Sequence, residues 1–209
     1  MKIVPAILTE NQKDLKEKIA VSESFCDYAQ IDIMDGKFVP SRSVQAADFA
    51  GLQTSLKIEI HLMVKDPLNY IADFKTIGAS RIIFHFESEN EPAEVIKKIK
   101  DLKIQPGLAL NPETPVSAAQ KFFGALDTIL VMTVNPGFYG SKFIPECLKK
   151  VREIKRSGFS GEAGVDGGIN KESLSQVLNI GLDYVCVGSA IFGQSNPGEA
   201  FIRLSRIAH

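Results

Sequence analysis

Tyr28-Ala29-Gln30-Ile31-Asp32-Ile33-Met34-Asp35-Gly36 is the stretch on which the fold turns. It is a short run rich in Ile that ends at an Asp-Gly pair, and its hydrophobicity does not alternate cleanly with its period of two. A strand wetted on one face alternates; a strand covered on both faces by helices has no need to. Seven further runs share this character, at residues 2–8, 57–63, 81–86, 105–110, 128–134, 162–165 and 184–187. Their spacing of about 25 residues holds a strand, a loop and a helix. Asp66-Pro67 opens one helical segment that stops at Gly78, Asn90 with Pro92 opens another, and Thr114-Pro115 opens a third. Residues 145–157 end before Gly158, and residues 171–180 end before Gly181 with Asn170 as N-cap. Eight such units predict one α/β domain over residues 1–209, a closed (β/α)8 TIM barrel rather than an open sheet.

Composition narrows the function. The chain has 24 Lys and Arg against 25 Asp and Glu, a net charge of −1, with its cations scattered, so it carries no basic field for a nucleic-acid backbone. Three cysteines, Cys26, Cys147 and Cys186, are an odd number without CxxC spacing, which fits a reducing, cytoplasmic setting. The apolar run at residues 3–8 is broken by Pro5 and too short for a signal peptide or a membrane span. Cys186 reads as packing, and the cations Lys149, Lys150, Arg152, Lys155 and Arg156 as the solvated face of one helix.

Barrels of this kind place their chemistry at the C-terminal ends of the strands. The period of two sets Gln30, Asp32 and Met34 on one side of their run. The third run ends in Glu59-Ile60-His61-Leu62-Met63, the fourth in His85-Phe86-Glu87, and the seventh in Val165-Asp166-Gly167-Gly168. Carboxylates and imidazoles gathered at one rim repel and lose hydration unless a cation or substrate satisfies them, which points to metal-assisted proton transfer. Gly167-Gly168 and Gly188-Ser189 sit where barrels form a phosphate site from backbone N–H groups, so a phosphorylated small molecule is the expected substrate. Residues 135–141, hinged at Gly137 and Gly140, have the composition of a flap that closes over it.

Several segments then match one family in order: Val4-Pro5-Ala6-Ile7-Leu8, Asp32 through Pro40, His61-Leu62-Met63-Val64, Phe84-His85-Phe86-Glu87, Leu108 through Pro115, Val131 through Phe138, Val165 through Asn170, and Gly188 through Phe192. The chain resembles the ribulose-phosphate 3-epimerases, nearly end to end. The resemblance implies exchange of the C3 proton between ribulose 5-phosphate and xylulose 5-phosphate, a step of the pentose phosphate pathway, with Asp32 and Asp166 as the two acid/bases. It further implies a divalent ion (zinc, iron, manganese or magnesium) at positions 30, 32, 61 and 166, with His61 also facing the substrate. Met34, Met63 and Met132 correspond to its apolar wall, and such relatives commonly form homo-oligomers. The chemistry is consistent: a carbon acid beside a ketone is weaker than Asp by roughly 15 pKa units, about 20 kcal/mol, so the enediolate needs electrostatic help.

Four positions depart from the family. Gln30 replaces the first histidine ligand, Ala6 a substrate-side serine, and Tyr139 and Ser141 the usual Gly and Gln of the flap. A carboxamide oxygen suits Mg²⁺ or Mn²⁺ better than Zn²⁺. Even losses behind the ligands cost about 10- to 100-fold in affinity, so Gln30 should weaken the ion at least that much. Two other readings stay open: another sugar-phosphate isomerase or lyase on the same barrel, and a sugar-phosphate binder without catalysis. The lyase branch carries an Asp-x-Lys-x-x-Asp pattern, and Asp32-Ile33-Met34-Asp35 offers no lysine.

Overall fold

In the computed structural model, which describes residues 1–137 and 140–208, eight parallel strands close into a barrel in chain order. They are β1 (Lys2–Ile7), β2 (Tyr28–Met34), β3 (Lys57–Met63), β4 (Arg81–His85), β5 (Gln105–Leu110), β6 (Thr128–Met132), β7 (Glu162–Asp166) and β8 (Tyr184–Val187). β8 closes the ring against β1. Past its first residue each of β2 and β3 is buried throughout, which is why neither alternates cleanly in sequence. Ile31, Ile33, Ile60 and Leu62 belong to the core outside the ring, beneath the helices. Val4, Ala6, Ile83, Ala109, Leu130, Met132 and Cys186 fill the interior.

The helices are α1 (Gln12–Ser22), α2 (Ile71–Thr76), α3 (Pro92–Asp101), α4 (Val116–Ala119), α5 (Leu148–Arg156), α6 (Lys171–Val177), α7 (Ser189–Phe192) and α8 (Pro197–Ala208). Eight α-helices do not fall one to a unit, as the regular spacing predicts. Between β2 and β3 the crossover carries only a 3-10 turn at Ala46–Phe49, whereas β8 is followed by both α7 and α8. Asn170 caps α6 as expected: its Oδ1 accepts from the amides of Glu172 and Ser173 at 2.9 and 3.0 Å, and the Ser173 hydroxyl accepts from Asn170 N at 2.9 Å. α6 nevertheless ends at Val177, short of the predicted residue 180. Asn90 does not cap α3; its Oδ1 accepts from Leu68 N at 3.1 Å, and Glu91 holds the N-cap position. No described helix is long and apolar enough to cross a membrane.

The register sets which side chains meet inside the ring. Asp32 lies beside His61, Asp166 beside Cys186, and Ala6 beside Gln30. One inward layer lower, Glu59 and Arg81 form a buried ion pair at 3.1 Å that also takes a hydrogen bond from the Tyr28 hydroxyl. The upper polar group thus sits above a layer held by its own ion pair.

Candidate active site

Four inward side chains converge at the C-terminal end of the barrel. Asp32 and Gln30 come from β2, His61 from β3 and Asp166 from β7, and the oxygen and nitrogen donors of Asp32, His61 and Asp166 lie within 4.8 Å of one another. Gln30 and His61 are fully buried, while Asp32 and Asp166 keep 9% and 8% of their surface, so the carboxylates alone reach the cleft above.

The Gln30 carboxamide is the centre of the set. Its Nε2 donates to Asp166 Oδ2 at 2.7 Å and to Asp32 Oδ1 at 2.9 Å, while its Oε1 accepts from the Cys186 thiol at 3.1 Å. The opposite orientation would set a carbonyl oxygen against two carboxylates, so the amide turns its N–H groups inward. His61 Nδ1 faces the same pair, 3.1 Å from Asp32 and 3.4 Å from Asp166. Burial disfavours the charged ring, but the hydrogen bonds and charges of Asp166 and Asp32 outweigh it and raise His61 to about 10. Burial, reinforced by the charge of Asp166, pushes the Asp32 carboxyl up against the bonds from His61 and Gln30. Asp32, His61 and Asp166 form a buried group whose ligand atoms could hold a metal ion.

Behind His61 the network continues. Its Nε2 is 2.9 Å from Nε2 of His85, whose Nδ1 is 3.3 Å from Glu87 Oε2. Burial, aided by the charge of His61, holds His85 below the ordinary imidazole range despite Glu87.

The cleft is lined by all the other positions expected to contact substrate: Met34, Met63 and Met132 on one part of the wall, Gly137 and Gly140 on the β6 loop, and Gly167, Gly168, Gly188 and Ser189 at the ends of β7 and β8. Gly167 has φ +111° and a Cβ there would lie 2.3 Å from Val134 Cγ2; Gly168 has φ +67° and would meet Phe143 N at 2.8 Å. Only glycine fits either position, and their bare backbone forms that wall. Ala6 and Ser141 also line the cleft, whereas Tyr139 lies outside the described residues.

Three features escape the sequence reading. Cys186 lines the cleft and bonds Gln30 instead of serving as packing alone; the register of β7 with β8 is what turns it inward. Lys150 is not on a solvated face, because its Nζ reaches the carbonyls of Asn111 and Thr114 at 2.6 and 2.7 Å. Lys155 pairs with Asp183 at 2.6 Å.

The model of the ribulose-phosphate 3 epimerase family matches residues 2–192. A ribulose-phosphate 3-epimerase of Bacillus subtilis is 37% identical over 210 residues, covering 96% of each chain. One from Methanocaldococcus jannaschii is 36% identical over 215 residues, covering 100% of this chain and 91% of that protein. Among solved structures, 3-hexulose-6-phosphate synthase from Salmonella typhimurium superposes with a TM-score of 0.74 at 15% identity, covering 100% of this chain and 98% of that one, a likeness of fold.

Proposed function

The chain belongs to the ribulose-phosphate 3-epimerase family, and from that premise we propose that it interconverts ribulose 5-phosphate and xylulose 5-phosphate through Asp32 and Asp166. It is an isomerase, as its relatives are named. The observation that carries the residue assignment is that these two carboxylates, from β2 and β7, are held by one amide at 2.9 and 2.7 Å and both open into the cleft.

Inverting a carbon centre through a planar intermediate takes a base on one face and an acid on the other, and a matched pair of carboxylates can exchange these roles with direction. Asp32, whose carboxyl is pushed up by burial, is suited to hold a proton for the acid half of the exchange. Met34, Met63 and Met132 keep water from the reacting carbons. Backbone at Gly167, Gly168, Gly188 and Ser189 would hold the phosphate and so fix C3 between the carboxylates.

Asp32, His61 and Asp166 fit a divalent cation, since they present two oxygens and one nitrogen to a common point. Gln30 would join them through Oε1 after its amide turns over, leaving Nε2 to the Cys186 sulfur. Such an ion supplies Lewis-acid stabilisation of the charge that develops on the substrate oxygens. The oxygen-rich set favours Mg²⁺ or Mn²⁺ over Zn²⁺. The three free cysteines accord with work in the cytoplasm. A phosphate-binding lyase is disfavoured by the absence of a lysine in residues 32–35, and a non-catalytic binder by the retention of both aspartates.

The test is an assay of ribulose 5-phosphate epimerisation on protein freed of metal and then supplied with Mg²⁺, Mn²⁺, Fe²⁺ or Zn²⁺ in turn. Turnover with at least one ion supports the reading; none with any ion refutes it.

A further inference from the structure

His61 and His85 touch through their Nε2 atoms at 2.9 Å, with centroids 5.0 Å apart and ring planes 19° apart. Rings that nearly coplanar, joined at their tips, lie end to end, so one nitrogen carries a proton and the other a lone pair. Which one does is decided farther out. Glu87 Oε2 stands 3.3 Å from His85 Nδ1, and an ionised carboxylate can only accept, so His85 Nδ1 carries the hydrogen. Neutral His85 then offers its lone pair at Nε2, His61 must donate from its own Nε2, and the remaining lone pair of a neutral His61 falls on Nδ1. That atom faces Asp32 and Asp166 at 3.1 and 3.4 Å.

We propose that Glu87 is a positioning residue that sets, through His85, the ring tautomer of His61 and so keeps His61 Nδ1 free to bind a cation. The inference rests on His61 being a metal ligand. Glu87 is itself anchored: its Oε1 accepts from the amide of Asn111 at 2.9 Å and from the Thr114 hydroxyl. Lys150 clamps that same loop by its two bonds to the carbonyls of Asn111 and Thr114. The Phe38 ring, centred 4.8 Å from that of His85, covers the imidazole. Neither His85 nor Glu87 lines the cleft, so neither is placed to touch substrate.

Glu87→Gln inverts the relay. A carboxamide has one oxygen, which the fixed Asn111 N–H claims, and its N–H₂ then faces His85 Nδ1. His85 must move its proton to Nε2, His61 gives up its own Nε2 proton, and Nδ1 of His61 becomes an N–H donor that cannot ligate.

The chain has only three histidines, His61, His85 and His209, so a long-range ¹H–¹⁵N spectrum of the full-length protein resolves each imidazole. In the wild type with saturating Zn²⁺ as a diamagnetic probe, His85 is expected protonated at Nδ1 and His61 at Nε2. Glu87→Gln should move the His85 proton to Nε2 and weaken Zn²⁺ binding, measured against a chelating dye, at least tenfold. An Nε2-protonated His85 in the wild type overturns the proposal, and that spectrum suffices should the variant not fold. So does a folded variant with unchanged Zn²⁺ affinity, or one that loses affinity with His85 unchanged. Failure of the wild type to bind Zn²⁺ overturns the metal reading and this one together, whereas the first three outcomes overturn this one alone.

Discussion

The amide nitrogen of Gln30 stands 2.7 Å from Oδ2 of Asp166, and the two residues come from strands that are not neighbours in the barrel. The contact joins β2 to β7 past β1 and β8, and with the 2.9 Å bond to Asp32 it lets a neutral side chain satisfy two buried carboxylates. Histidine there would instead offer a ring nitrogen to a cation. If the site holds a divalent ion as proposed, the amide would have to give up both carboxylates to present its oxygen, so Gln30 is expected to bind the ion less readily than histidine would.

Gln30→His should therefore strengthen divalent-ion binding by about 10- to 100-fold, with the largest gain for Zn²⁺. Isothermal titration of metal-free protein measures it. Equal affinity in the two proteins would mean that the amide costs the site nothing.

Asp32→Asn and Asp166→Asn should each lower epimerisation by about 10²- to 10⁴-fold while leaving binding of the substrate phosphate in place. In D₂O each variant should still exchange the C3 proton of one epimer, and the two variants should differ in which. Exchange of both epimers by either variant would show that a single base serves both faces.

Gly167→Ala should raise KM and lower the melting temperature together. The φ of +111° costs a non-glycine residue about 1–3 kcal/mol, and the added methyl meets Val134 at 2.3 Å on the cleft wall. Thermal melts and a KM measurement check it; an unchanged KM would remove the β7 loop from the phosphate site.

The His61 ring supplies a pH signature in metal-free protein. Its folded pKa, about 10, lies above the ordinary imidazole value of 6.5, so its contribution is fully present below about 6.5 and is lost as pH rises toward 10. The melting temperature should fall over that window more steeply in the wild type than in His61→Gln. Parallel curves would contradict the pairing with Asp32 and Asp166.

Arg81→Met should destabilise by about 3–5 kcal/mol in denaturant titrations, because it leaves Glu59 buried with no cation. Adding Glu59→Leu should recover most of the loss. No recovery would mean that Arg81 acts mainly through Glu162, its other partner at 2.5 Å.

Much of this architecture is legible in the chain. The runs at residues 28–34, 57–63, 105–110 and 184–187 coincide with β2, β3, β5 and β8, because burial on both faces leaves an apolar signal that stops where the strand does. The period of two likewise aims Gln30, Asp32 and Met34 inward. Crossovers are less legible: residues 35–56 hold one 3-10 turn where a helix was expected, and Asn90 serves Leu68 in place of its own helix. Contacts between distant residues are least legible. Cys186 meets Gln30 across 156 positions, and Glu87 meets Thr114 only because the β4 and β5 loops fold onto each other.

The proton exchange assigned to Asp32 and Asp166 is tested most directly by incubating ribulose 5-phosphate with metal-reconstituted protein in D₂O, followed by NMR. Xylulose 5-phosphate carrying deuterium at C3 is expected, formed only when a divalent ion is supplied and lost in Asp32→Asn. No xylulose 5-phosphate with any ion, or product formed without solvent deuterium, would contradict that assignment.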